Sequence, residues 1–140
     1  MKRLSIGLVA HDAKKKLLVD WIGDYLPYFR QHDLYATGTT GKHILDAYPD
    51  LSLTRLKSGP LGGDQQLGSM ICTEKLDLLI FFTDALTPMP HDVDVKALIR
   101  LSTLYNIPNA CNTATASLLM QAIILNHDNN NQGFLSQKAP

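Results

Sequence analysis

A chain of 140 residues, 45% of them hydrophobic and 19% charged, is long enough for one domain with its own core. Lys plus Arg and Asp plus Glu each number 13, so the formal net charge is zero and no basic field exists to draw nucleic acid or an anionic membrane surface. No apolar run approaches the roughly 20 residues that cross a bilayer, and Cys72 and Cys111 lack metal or redox spacing, so both read as buried, reduced thiols of a cytoplasmic protein.

Residues 4–10 are apolar at nearly every position, as expected of a parallel strand covered on both faces. The Lys2-Arg3 pair before them imitates a signal peptide, but the run is short and stops at His11-Asp12 and three lysines, so a strand is predicted. Leu17, Leu18, Trp21, Ile22 and Tyr25 then recur at helical spacing, and Pro27 is expected to close that helix. Residues 33–36 read as a second strand, and Thr-Gly-Thr-Thr-Gly at 37–41 as a turn leading into a short helix over 42–48. A third strand is predicted at 54–57, followed by the loop Ser-Gly-Pro-Leu-Gly-Gly at 58–63 and a helix over 64–73. The unbroken apolar run within 76–82 is the clearest buried strand, and a loop with two prolines follows at 83–91. The helix over 92–105 places Val95, Leu98, Ile99 and Ser102 on one side and Lys96 and Arg100 on another. A strand at 108–111 and a helix over 113–125 complete the predicted domain, residues 1–125. Asn and Gln dominate the polar tail, residues 126–140.

Strands alternating with helices over short connections call for an α/β fold: one three-layer α/β/α domain around a five-stranded, mainly parallel, doubly wound sheet. Ligands in such sheets bind beyond the carboxyl ends of the strands. The loops expected there are those at 11–12, 37–41, 58–63, 83–91 and 112–113, and they hold nearly all the suggestive polar residues.

In the loop at 58–66, three glycines and a proline let the backbone bend sharply, turn N–H groups toward an anion and deliver one carboxylate, Asp64, beside it. The plainer reading of Asp64 is a helix cap, but a glycine run is costly in chain entropy unless backbone must approach something closely. Thr37, Gly38, Thr39 and Thr40 precede a helix, where amides and hydroxyls suit a phosphate; a cap alone needs one hydroxyl, not three. Gly41-Lys42 does not make a nucleoside triphosphate loop, because Gly38 lies too near and His43 stands where a magnesium-binding hydroxyl belongs. Lys15 follows His11 by one helical turn, so both face one strand edge, although a solvated lysine and a backbone-satisfied histidine are the plainer readings. His91 and Asp94 share a face at a helix start, and Asp84 sits at the end of the central strand. No metal-ligand spacing is evident, so His91 reads as a proton-transfer group oriented by a carboxylate. A phosphate cradle, a carboxylate and histidines together suggest proton abstraction next to a carbonyl in a small phosphorylated compound. A free aspartate, with a pKa near about 3.9, is a weak base for that task unless donors polarise the carbonyl.

These residues resemble the methylglyoxal synthase family. The likeness is carried by LVAHD at 8–12, LYATGTTG at 34–41, SGPLGGDQQ at 58–66, IFF at 80–82, PHD at 90–92 and DVKAL at 94–98. It implies a flavodoxin-like domain and a lyase that converts dihydroxyacetone phosphate to methylglyoxal and inorganic phosphate with no metal or organic cofactor. A homohexamer is also implied, with phosphate as product and possible inhibitor. By resemblance Asp64 is the catalytic base, and His11 and His91 bind and polarise substrate oxygens. Asp94 supports catalysis, Asp12 and Asp84 are further supporting acids, and Lys15, Thr37, Gly38, Thr39, Thr40, Ser58 and Gly59 hold the phosphate. Thr83 stands where the family commonly has tryptophan, and the tail after Ala122 carries Lys138 but no arginine, whereas the family can bring a C-terminal arginine to a neighbour's phosphate. The same fold also serves as an effector-binding domain of carbamoyl phosphate synthetase, which has no use for Asp64 and His91 together. An isomerase would start from the same enediolate.

Overall fold

The computed structural model describes residues 2–87 and 92–128. Its order is β1 (Ser5–Ala10), α1 (Lys15–Asp24), α2 (Leu26–Phe29), β2 (Asp33–Ala36), α3 (Gly38–Ala47), β3 (Leu53–Arg55), α4 (Gly63–Cys72), β4 (Leu78–Phe82), α5 (Asp92–Leu104), β5 (Asn109–Ala110) and α6 (Thr113–Asp128). Short 3-10 turns at Asp12–Lys14 and Gly59–Leu61 lead into α1 and α4. The five strands lie in the order β3-β2-β1-β4-β5, and every pairing is parallel.

Apolar residues alternate between the two faces of this sheet, which is why β1 and β4 read as unbroken apolar runs. On one face Ile6, Leu8 and Ile80 pack with Leu18, Trp21 and Ile22 of α1, Ile44 of α3 and Met120 of α6. On the other, Val9, Leu79 and Phe81 pack with Leu67 and Ile71 of α4 and Val95 and Leu98 of α5. Each large side chain so buried contributes about 1.5–3 kcal/mol. The chain winds outward from β1 through β2 to β3, then crosses to β4 on the far side of β1. The reversal opens a crevice beyond the carboxyl ends of β1 and β4, where this architecture binds ligands.

Several expectations are corrected. Pro27 does not end the first helical segment; it lies in the first turn of α2, where its missing N–H removes no helical bond. Helix α3 begins at Gly38, so the Thr-Gly-Thr-Thr-Gly run forms its first turn rather than a preceding loop. The glycines there serve packing. A Cβ on Gly41 would lie 2.8 Å from the Arg55 side chain, and one on Gly38 would lie 3.0 Å from the Ser58 amide. Helix α6 runs to Asp128, past the expected end at 125. Leu17 is exposed rather than part of the core. Cys72 is exposed in the last turn of α4, and Cys111 is only part-buried with its thiol pKa raised by burial, so neither is the fully enclosed thiol expected. Among the described residues no helix is long and apolar enough to cross a membrane.

Candidate active site

A cavity of about 230 Å³ opens at the carboxyl end of the sheet. Its floor is the end of β1, Val9 and Ala10, with Phe81 of β4. His11, Asp12 and Lys15 form one wall and Thr37, Thr39 and Thr40 another; Ser58, Gly59, Pro60 and Asp64 close it. Loops distant in sequence meet here because each leaves the same edge of a parallel sheet.

The threonine turn is built to present donors. Thr37 occupies the N-cap position of α3, yet its hydroxyl makes no capping bond. Its contact with the Thr40 hydroxyl is 3.4 Å, and that hydroxyl's contact with the Ala10 carbonyl is also 3.4 Å. Both distances are long for O–H···O, so a charged ligand competes easily for these hydroxyls. Beneath them the first-turn amides of α3 bring the positive end of the helix dipole to the cavity.

Gly38 does something different from the expected phosphate contact. Its N–H donates to the Lys57 carbonyl at 3.1 Å, and its own carbonyl accepts from Arg55 Nε at 3.1 Å. It stitches the threonine turn to the segment after β3 instead of lining the cavity. Gly63 completes that seam: an added Cβ would fall 2.0 Å from the Lys57 carbonyl oxygen and 2.9 Å from the Thr37 methyl. Gly62, with φ +113°, supplies the left-handed turn that starts α4. Nothing in the sequence marks Gln66, yet its Oε1 accepts the Lys57 N–H at 2.8 Å and so ties α4 to the same segment. Only the fold brings a side chain nine positions away onto that amide.

Asp64 emerges from this seam in the first turn of α4, only 3% exposed, on the cavity wall. His11 is likewise buried, and its ring stands edge-on to Phe81 at 5.2 Å between centroids. The Asp84 backbone N–H donates to His11 Nδ1 at 2.8 Å, which leaves the ring's proton on Nε2. Both readings of His11 hold together: it has a backbone partner, and it lines the site.

Lys15 is less exposed than a solvated surface lysine, its side chain being 12% accessible. Its ammonium donates to the Ala10 carbonyl at 3.1 Å and to Asp12 Oδ1 at 2.6 Å. Lys15 in turn holds the Asp12 carboxyl below its ordinary pKa of 3.8, first through that hydrogen bond and then through its charge. The Asp84 carboxylate faces its own turn. Hydrogen bonds from the Thr87 hydroxyl and the Leu86 N–H hold its pKa below the ordinary value. Asp94 lies outside the cavity, in a groove between α4 and α5 that Asp64 also lines. His91 lies outside the described residues. Among the described residues no three His, Cys, Asp or Glu side chains converge on a metal position.

The family model described as the MGS-like domain matches residues 19–111. Methylglyoxal synthase from Rhizobium rhizogenes (strain K84) is 57% identical over 122 residues, covering 87% of this chain and 95% of its own length. The chain belongs to the methylglyoxal synthase family. A second member, methylglyoxal synthase from Oleidesulfovibrio alaskensis, is 53% identical over 116 residues, covering 83% of this chain and 79% of its own length. The crystal structure of methylglyoxal synthase from Elizabethkingia anophelis NUHP1 superposes with a TM-score of 0.79 at 50% identity, covering 84% of this chain and 76% of that one. The three-layer fold is thus that of a solved methylglyoxal synthase.

Proposed function

We propose that the chain is a methylglyoxal synthase, a lyase that eliminates phosphate from dihydroxyacetone phosphate. The observation that carries the reading is the burial of the Asp64 carboxyl in one small cavity with His11 and the hydroxyls of Thr37, Thr39, Thr40 and Ser58. An acid used only to cap a helix gains nothing from enclosure beside an anion cradle. Family membership supports the same reading over a sensor domain.

The substrate's phosphate would take the threonine and serine hydroxyls, the Thr39 and Thr40 amides in the first turn of α3 and the Lys15 ammonium, leaving its carbonyl near His11. Asp64 removes a proton from the hydroxymethyl carbon, and the electron pair moves onto the carbonyl carbon–oxygen unit to form an enediolate. Donation from His11 Nε2–H stabilises that oxygen's growing charge, an interaction worth roughly 3–4 kcal/mol for one well-placed donor. The enediolate's electrons then expel phosphate by breaking its bond to carbon, and the resulting enol takes a proton at its terminal carbon to become methylglyoxal. Atoms balance without a redox partner. His91 and Asp94 enter this reading as further proton-handling groups, and Asp12 holds Lys15 in place. A homohexamer belongs to the same reading; α6 exposes Leu118 and Leu125, which such an assembly would cover. Light scattering of the purified chain tests it.

The function test supplies purified protein with dihydroxyacetone phosphate and follows released phosphate together with trapped methylglyoxal. Both products are expected in equal amounts. Asp64→Asn should lower turnover about 10³-fold while a non-reacting phosphorylated analogue still binds. A wild-type protein that binds the analogue and releases neither product would be a sensor, and the lyase reading would fall.

A further inference from the structure

The turn after β4 has an arrangement that its exposure does not explain. Leu86 at its tip is 93% exposed, so the turn buries little apolar surface there. It is nevertheless organised from within: Asp84 Oδ1 accepts the Leu86 N–H at 3.2 Å, and the Thr87 hydroxyl donates to the same carboxylate. Thr83 just before it is anchored by its N–H to the Cys111 carbonyl at 3.3 Å. The product of this order is one aimed backbone donor, the Asp84 N–H, 2.8 Å from His11 Nδ1. His11 is fixed from two other directions, by its own N–H to the Phe82 carbonyl at 3.1 Å and by its T-shaped contact with the Phe81 ring.

We propose that Asp84 is a positioning residue whose carboxylate shapes the turn so that its own amide locks His11 in the Nε2–H tautomer. A peptide N–H never accepts a proton, so this lock works in one direction only. His11 can donate through Nε2 to a substrate oxygen but, while the lock holds, offers the cavity no basic nitrogen. Proton abstraction is thereby left to the carboxylate across the cavity, and the ring cannot compete by taking the substrate's proton itself. The donor role of His11 rests on the lyase reading; the tautomer does not.

The test reads the ring nitrogens directly. Two-bond nitrogen–proton correlation spectra of ¹⁵N-labelled protein, with the His11 signals assigned by their loss in His11→Gln, should show a bare Nδ1 and a protonated Nε2 in one tautomer. Asp84→Ala should give a mixture of tautomers and lower kcat about tenfold with KM nearly unchanged. Asp84→Asn keeps an acceptor for the Leu86 amide and should restore both the single tautomer and most of kcat. A turn with only a structural role would lower the melting midpoint in Asp84→Ala and leave the His11 spectrum as in wild type; that result overturns the proposal. So does an Nδ1–H tautomer or a mixture in the wild-type protein. A single Nε2–H tautomer in a protein that makes no methylglyoxal would keep the lock and sink the lyase reading, and a mixture in an active enzyme would do the reverse.

Discussion

The two halves of the cavity are held by different means. On the β2–β3 side, the threonine turn and the start of α4 are fused backbone to backbone through the Lys57 carbonyl, with Gly38 and Gly63 admitting contacts no side chain would allow. On the β4 side, an exposed turn reaches the cavity through a single amide on His11. The first half is set by steric exclusion and tolerates almost no change; the second is set by a few hydrogen bonds, each worth about 1 kcal/mol. Gripping a phosphate needs donors fixed before the ligand arrives, since preorganised donors cost nothing to orient at the moment of binding. Orienting one imidazole needs only a direction.

The contrast is most sharply tested at Gly63. Gly63→Ala should destabilise the protein by about 3 kcal/mol, because backbone rather than a flexible side chain meets the new methyl. In the fraction that stays folded, it should also raise KM for the triose phosphate as the threonine turn and Asp64 are pushed apart. Thermal melting with steady-state kinetics checks both; wild-type values would show that the seam is softer than its geometry. Lys15→Met comes next: loss of the proposed charge-assisted contact to phosphate is worth about 2 kcal/mol, or roughly thirtyfold in analogue affinity, with a smaller loss of stability, about 1 kcal/mol, from the bonds to Ala10 and Asp12. The smallest effect belongs to the Asp12 carboxylate on that lysine. Its folded pKa is depressed, so its contribution is present above the ordinary value and disappears as pH falls through the lowered one. The side chain is 90% exposed, so Asp12→Asn should cost only about 0.5 kcal/mol near neutrality and nothing in strong acid. A midpoint difference between the two proteins that persists in acid would show that the pair is not what links Asp12 to stability.

The fold was legible where hydrophobic pattern alone decides it. β1 and β4 are unbroken apolar runs because both faces of a parallel strand are covered, and the alternation of strands and helices implied the layers. The start of α3 was not, because glycine is ordinarily local punctuation, whereas Gly38 and Gly41 are small so that β3 and the segment after it can pack closely. At the site, residue type and loop position gathered His11, Lys15, the threonines, Ser58, Gly59 and Asp64 correctly in one cavity. The sequence misled over Gly38, whose amide serves the protein rather than the cavity, and it carried no sign that the Asp84 backbone meets His11. Backbone donors leave no mark on residue identity. The role of Gln66 is illegible for a related reason: its partner is an amide that any residue but proline would supply.

The chain has one tryptophan, and the fold seats it away from α4 and α5. Trp21 donates its indole N–H to Ser117 Oγ at 3.1 Å and makes T-shaped contacts with the rings of Phe29 and Phe82, where α1 meets α6 over the sheet. Its fluorescence is therefore an intrinsic optical reporter of that contact. Global melting can be followed by emission while the cavity is filled, with no dye competing for the place of the ligand.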